Sequence, residues 1–273
     1  MSNFWQRAIT GTVFVAVLVA FIKWTPLAFA ALLLPVALLG LQEFYTITKR
    51  PKTNIPVRLM YIIAAAVYLL MVSIRLFQIP PSSLALAVPL FSVVLISELF
   101  RKEKRPINNI AYSLFGILYI VLPFGLLTYI QLDESGALKS SWVLLAFFCS
   151  LWANDTGAYL VGRAIGKTPL FARISPKKTW EGFIGGLFFC CLTGYLFSHI
   201  DPFLTAWEWM GFSVIIGVFG TLGDLIESMI KRNYQVKDSG TILPGHGGIL
   251  DRFDGIFLAA PMIITYLELL KAI

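Results

Sequence analysis

Apolar runs long enough to cross a bilayer recur along this chain, and they restrict its fold more than any other feature. They lie near Phe4–Ile22, Pro26–Phe44, Arg58–Phe77, Ser82–Phe100, Ile107–Gln131, Trp142–Val161, Phe183–His199, Trp209–Ile230 and Ile249–Leu270. The hydrocarbon core of a membrane takes about 20 helical residues to cross. The reading is an all-α, polytopic integral membrane protein with about nine transmembrane helices. Composition agrees, since 58% of the 273 residues are hydrophobic, only 14% are charged and mean hydropathy is +0.78. A soluble domain of this length needs more charged surface. The first run passes at once into the second with no small-residue cleavage pattern between them, so it reads as a span and not as a cleaved signal. Cys149, Cys190 and Cys191 fall inside apolar runs without metal-type spacing and read as core or lipid-facing residues.

A net charge of +7 can reflect nucleic-acid binding or membrane topology, and placement of the charges decides. With nine spans, alternate connections hold Arg7; Lys49, Arg50, Lys52 and Arg58; Arg101, Lys102, Lys104 and Arg105; Arg163, Lys167, Arg173, Lys177 and Lys178; then Lys231, Arg232, Lys237 and Arg252. That is 18 of the 22 Lys and Arg residues, leaving Lys23, Arg75, Lys139 and Lys271 opposite. Cytoplasmic connections carry the Lys and Arg excess. The amino terminus is therefore expected in the cytoplasm and the carboxy terminus outside, and nucleic acid has no place in the account. The expected division is an N-terminal block of transmembrane helices over residues 1–105 and a catalytic half over 106–273, whose cytoplasmic loops are 162–182 and 232–248. Glu43 and Glu98, near predicted cytoplasmic ends of the first block, read as solvated at the interface.

Polar chemistry concentrates between Gly223 and Asp254, at the edge of the predicted membrane. Asp224, Glu227, Ser228 and Lys231 stand at i, i+3, i+4 and i+7 and share a helical face; Asp251 and Asp254 share another at the start of the next helix. Asp224 precedes Lys231 by seven residues, which at 1.5 Å per residue puts it about 10 Å below the basic edge. A charge at such depth costs about 2.5–3.5 kcal/mol on insertion scales and calls for a partner. For Asp224, Asp251 and Asp254 the favoured partner is a divalent cation. Hard oxygen ligands without His or Cys at matching spacing suit magnesium, completed by waters and substrate phosphates. The alternative is a set of salt bridges to Lys231, Arg232 and Arg252.

Basic and glycine-rich segments point to phosphate. Ser175–Gly182, SPKKTWEG, sets Lys177 and Lys178 just before a predicted helix, whose free amides and dipole favour anions. Leu243–Gly248, LPGHGG, likewise precedes a helix, and its glycines let backbone amides approach a ligand. Asp155, beside Asn154, joins the polar site or pairs with a nearby lysine. His246 contacts phosphate or donates a proton, or is merely solvated. Gly162–Thr168, GRAIGKT, has one residue too few between its glycines for a P-loop and follows an apolar run instead of a strand.

Across the 27 residues from Ser228 to Asp254, Ser228, Lys231, Arg232, Lys237, Asp238, Gly240, Leu243, Pro244, His246, Gly247, Gly248, Asp251, Arg252 and Asp254 stand in the register of a known signature. The stretch closely resembles that of the phosphatidate cytidylyltransferases, also called CDP-diacylglycerol synthases. The resemblance extends back through SPKKTWEG and Asp155. It implies a reaction of CTP with phosphatidic acid, giving CDP-diacylglycerol and pyrophosphate, with magnesium required. It carries over Asp224 and Asp251 as metal ligands, and Lys177, Lys178, Lys231, Arg232 and Lys237 as phosphate contacts. With the readings above, the candidate catalytic set is Asp224, Lys231, Lys237, His246, Asp251 and Asp254. The candidate substrate-binding positions are Asp155, Lys177, Lys178, Glu181, Ser228, Arg232, Asp238, Gly247, Gly248 and Arg252. The resemblance further implies a homodimer, a monovalent cation such as potassium beside the magnesium, and a multi-pass location in the cytoplasmic (inner) membrane with the site facing the cytoplasm. A CTP-using polyprenol kinase would carry a degraded form of this signature, and a cation-coupled transporter would spread its acids through the bilayer depth.

Overall fold

The computed structural model describes residues 3–49, 53–132, 140, 142–242 and 247–271, with side chains from residue 8 onward. The chain is an all-α, polytopic membrane protein. Eight helical segments among the described residues are long and apolar enough to cross a membrane: Pro26–Thr48, Val57–Leu76, Pro81–Phe100, Pro106–Gln131, Val143–Ile165, Trp180–Ser198, Ala206–Asn233 and Leu250–Lys271. A ninth apolar helix, Ala8–Trp24, is shorter over its described side chains. These are the predicted runs with their ends moved by a few residues, as expected where caps and not hydropathy set the boundary.

Two compact units divide the chain. The first comprises Met1–Ala137 and Asp238–Arg252, and the second Leu138–Lys237 and Phe253–Ile273. The first unit contains α1 (Asn3–Trp24), α2 (Pro26–Thr48), α3 (Val57–Leu76), α4 (Ala87–Phe100), α5 (Pro106–Gly116) and α6 (Leu122–Gln131). Thr25 caps α2 by accepting from the Ala28 amide at 3.0 Å, while Pro26 takes the first helical position, where no amide is needed. Phe29, Leu33, Ala37, Leu41 and Phe44 then recur at helical spacing, all essentially buried. Tyr45 and Tyr68 reach the carbonyls of Ser113 and Ala30, at 2.9 and 2.8 Å, so each buried phenol has an acceptor. A π-helical turn, Ile117–Val121, joins α5 to α6 just before Pro123, which has no amide to continue a regular ladder.

Glu98 is only 5% exposed, contrary to its reading as an interfacially solvated acid. Asn109 donates to it at 3.1 Å and Arg101 forms an ion pair with it, so protein groups replace water around the carboxylate. Glu43 is also 5% exposed, for a reason given below.

The second unit holds α7 (Val143–Ile165), the antiparallel strands β1 (Pro169–Phe171) and β2 (Ser175–Thr179), α8 (Trp180–Ser198) and α9 (Ala206–Asn233). A short turn of helix, α10 (Leu250–Phe253), precedes α11 (Ile256–Lys271). Helices α7, α8 and α9 approach closely through glycines. A Cβ on Gly157 would lie 2.6 Å from the Phe189 ring, and one on Gly185 2.5 Å from Val161. Small residues at such crossings let backbones touch where lipid gives helices no hydrophobic reason to associate. Thr205 and Glu208 form a reciprocal capping box at the start of α9. With 28 residues, α9 runs about 42 Å, longer than a hydrocarbon core of about 30 Å.

The segment 162–182, expected as a loop, is largely structured. Helix α7 continues to Ile165, and β1 and β2 pair with Pro169 opposite Thr179 and Phe171 opposite Ser175. Lys177 and Lys178 therefore ride on a strand. Thr179 ends that strand and caps α8, accepting from the Gly182 amide at 3.1 Å, so the strand leads straight into the helix.

Candidate active site

A cavity of about 410 Å³ lies within the second unit. Helix α7 presents Asn154, Asp155, Ala158, Tyr159, Gly162 and Arg163 to it, positions that recur every turn along one face. The hairpin adds Lys177 and Lys178, and α9 adds Thr221 and Asp224. Three of the residues singled out as phosphate contacts or acids on separate segments are thus brought together with Asp155 around one space: Lys177, Lys178 and Asp224.

Asp224 is held from two sides. Its Oδ2 accepts from Lys178 Nζ at 2.5 Å, across from the hairpin, and its Oδ1 accepts from Ser228 Oγ at 3.2 Å, one turn on. The side chains of Lys178 and Asp224 keep 28% and 32% of their exposure, so the pair faces the cavity and is not sealed in the core. One turn along the same helical face, Glu227 is 2% exposed and pairs with Lys231 at 2.5 Å. Asp254 comes from the segment before α11 and accepts from the Gly255 amide at 2.7 Å.

One carboxylate oxygen from each of Asp224, Glu227 and Asp254 lies within 4.8 Å of the others. Three carboxylates so close repel, and the ammonium groups of Lys178 and Lys231 offset only part of that charge. The donors are hard oxygens alone, the set that magnesium or calcium takes. The alternative anticipated pairs of Lys231, Arg232 and Arg252 with Asp224, Asp251 and Asp254; in the structure Lys231 pairs with Glu227 and Asp224 pairs with Lys178.

The remaining expected residues are distributed as follows. Glu181 accepts from the amides of Lys167 and Thr168 at 3.2 Å, closing the turn between α7 and the hairpin. Arg232 donates to the Val236 carbonyl at 3.0 Å beyond the end of α9. Lys237, Asp238 and Arg252 are exposed. Asp251 belongs to the first unit, and its Oδ2 accepts from the Ser239 amide at 2.9 Å and from the Gly248 amide at 2.8 Å. Gly247 adopts a φ of +81°, which a side chain would strain. His246, with Leu243 and Pro244, lies outside the described residues.

Two kinds of residue escaped the sequence reading. Arg163 and Tyr159 line the cavity, with Arg163 donating to the Tyr159 hydroxyl at 3.2 Å, although Arg163 read only as a topological charge. Its position eight residues after Asp155, on the same helical face, was the available signal. Glu227 stood on the acidic face with Asp224 but was not separated from it as a ligand.

Comparison with known proteins bears on this geometry. The phosphatidate cytidylyltransferase of Staphylococcus aureus (strain COL) is 40% identical over 172 residues, which are 63% of this chain and 64% of that protein. Those of Staphylococcus haemolyticus and Staphylococcus saprophyticus are 39% and 40% identical, each over 67% of this chain and 66% of theirs. The alignment with the first thus spans less than two thirds of that relative's length. The family description "Cytidylyltransferase family" matches residues 5–270, from the first apolar helix through the last. A match of that extent leaves only a few terminal residues outside it, and the chain belongs to the cytidylyltransferase family.

Proposed function

We propose that the protein is a phosphatidate cytidylyltransferase, transferring CMP from CTP to phosphatidic acid to give CDP-diacylglycerol and pyrophosphate. The observation that carries this reading is the convergence of Lys177, Lys178, Arg163 and Asp224 on one cavity, in a unit whose helices also expose many large apolar side chains. At about 410 Å³ the cavity falls in the range of small-molecule sites, roughly 300–1,000 Å³.

In the reaction a phosphate oxygen of phosphatidic acid attacks the α-phosphorus of CTP. The new P–O bond forms as the bond to the β-phosphate oxygen breaks, and the electron pair leaves with pyrophosphate. The attacking phosphate is largely ionised at neutral pH, so no strong general base is required. The work of the protein is to position two anions against each other and to offset charge on the transferring and leaving groups. Lys177, Lys178 and Arg163, which line the cavity, would contact phosphate oxygens. Lys178 can exchange its bond to Asp224 for one to substrate, leaving Asp224 to a cation. Asp224, Glu227 and Asp254 would hold magnesium, which supplies Lewis-acid polarisation of phosphoryl oxygens when bound. Asp251 as a further ligand, and potassium as a second cation, rest on the family resemblance.

The Lys and Arg distribution supports an amino terminus in the cytoplasm and a site opening to that side, where CTP is found. The cytoplasmic (inner) membrane is proposed on the resemblance. Phosphatidic acid would keep its acyl chains in lipid while its headgroup enters the cavity. A homodimer is proposed on the resemblance alone.

The test is pyrophosphate release by detergent-purified protein given phosphatidic acid, CTP and magnesium, with each omitted in turn and lipid products analysed. Release requiring all three, with CDP-diacylglycerol formed, is expected. CDP with a phosphorylated alcohol when polyprenols are supplied, or no release, would overturn the proposal.

A further inference from the structure

Glu43 lies in α2, in an apolar stretch where a solvated role was expected, yet it is 5% exposed and 196 to 207 residues away in sequence from its partners. Its Oε1 accepts from the Ile249 amide at 2.9 Å, and its Oε2 accepts from the Leu250 amide at 3.0 Å and from Ser239 Oγ at 2.8 Å. Two of these donors are the free amides at the entry to α10, and the third is the hydroxyl of Ser239. A buried carboxylate is tolerated when its lone pairs are filled in this way.

The packing around it is closed. A Cβ on Gly240 would lie 2.5 Å from Glu43 Oε1, and one on Gly248 would collide with Ser239 Oγ and both Glu43 oxygens. One turn earlier on α2, Gly40 faces Ile249 and Leu250 with room for no more than van der Waals contact. Helix α2 thus offers an apolar seat and a carboxylate to the same short segment. The hydroxyl of Ser239 also lies 3.0 Å from Asp251 Oδ2, so its single proton can serve either acid. Glu43, Ser239 and Asp251 form one chain of contacts, and its far end is an acid of the family signature.

We infer that Glu43 is a positioning residue for the nucleotidyl-transfer reaction: from a helix outside the signature it fixes the signature residues Ser239, Ile249 and Leu250. This inference rests on the proposed function for its catalytic consequence, while the contact itself does not. Glu43→Gln keeps the shape but turns one acceptor into a donor, which then faces an amide or a hydroxyl that also needs an acceptor. Side chains that orient functional groups through such contacts typically carry about 10- to 100-fold of activity.

The experiment is amide hydrogen exchange on the full-length protein in detergent, read at peptides covering Gly248–Leu250, beside kcat and KM for CTP. Glu43→Gln is expected to raise exchange at these amides at least about tenfold and to lower kcat about 10- to 100-fold, with KM changing less. Glu43→Asp should recover part of both. Ser239→Ala, which leaves the two amides on Glu43, carries the test if Glu43→Gln does not fold; it should open the segment less and lower kcat in proportion. Unchanged exchange at these amides in Glu43→Gln, or at the Ser239 and Gly248 amides in Ser239→Ala, would overturn the inference whatever the activity. So would increased exchange with kcat unaltered. If the wild-type protein makes no CDP-diacylglycerol while Glu43→Gln still opens the segment, the cytidylyltransferase reading fails, the catalytic part of the inference fails with it, and the structural contact stands.

Discussion

Replacing Asp224 by Asn separates a metal-binding acid from a structural salt-bridge partner. The substitution keeps the volume and removes one charge. At an effective dielectric constant of about 20, the contact with Lys178 at 2.5 Å carries an attraction of about 6–7 kcal/mol before desolvation. Opposing it, repulsion from Glu227 and Asp254 at 4.8 Å or less is at least about 3.5 kcal/mol for each. Gain and loss oppose each other and are of the same order, with Glu227 partly offset by Lys231, so Asp224→Asn is expected to change stability by only about 1 kcal/mol. For a chain of this size that is a shift of roughly 2–4 °C in Tm. Turnover should fall by at least about 100-fold, the usual scale for removing one electrostatic contributor to a transition state. Thermal unfolding in detergent and pyrophosphate release, each measured with and without magnesium, give both quantities. Near-normal turnover would refute the role of Asp224 as a metal ligand. A fall of Tm by ten degrees or so with proportional loss of activity would refute the charge balance and return the acid to a salt bridge.

Lys177→Ala with Lys178→Ala should raise KM for CTP or phosphatidic acid about 10- to 100-fold, as one or two charge-assisted hydrogen bonds at about 1.5–3 kcal/mol each would be lost; unchanged constants would make both lysines topological. Arg163→Gln should weaken CTP binding measured by calorimetry and leave Tm nearly unaltered, because its contact to Tyr159 is exposed. Gly157→Ala drives a methyl to 2.6 Å from the Phe189 ring and should cost about 1–3 kcal/mol, read as a lower Tm with the same magnesium dependence. Thr205→Ala removes half of the α9 capping box and should cost about 1 kcal/mol by the same assay without altering KM.

The helices were legible because a bilayer demands the same pattern from every span. Their ends were less so: α7 runs four residues past its expected end, to Ile165, and α9 begins three residues early, at a capping box that Thr205 and Glu208 set and hydropathy does not show. The hairpin was hidden because SPKK carries no alternation of apolar and polar residues, and its register, Pro169 opposite Thr179 with the Trp180 amide donating to the Thr168 carbonyl, leaves no periodic trace. In the site, the i, i+3, i+4, i+7 face of α9 was readable and so was the basic character of SPKK. That Lys178 reaches Asp224, 46 residues away, was not. Periodicity places residues on a face but does not say which face it meets.

Glu43 shows the same limit more sharply. From the sequence it is one acid near the end of an apolar run, where solvation is the cheaper outcome. Burial becomes favourable only because two helix-entry amides and a hydroxyl, none of which leaves a periodic trace, arrive from a segment about 200 residues later. The signature itself is continuous in sequence, but its parts fall into different units. Ser228–Lys237 and Asp254 belong with α7, α8 and α9, whereas 238–252 belongs with α2 and its neighbours. A residue pattern that reads as one motif is therefore supported by two cores. A substitution such as Glu43→Gln should disturb the part of that motif held in the first unit while leaving Asp224, Lys178 and the carboxylate cluster in place.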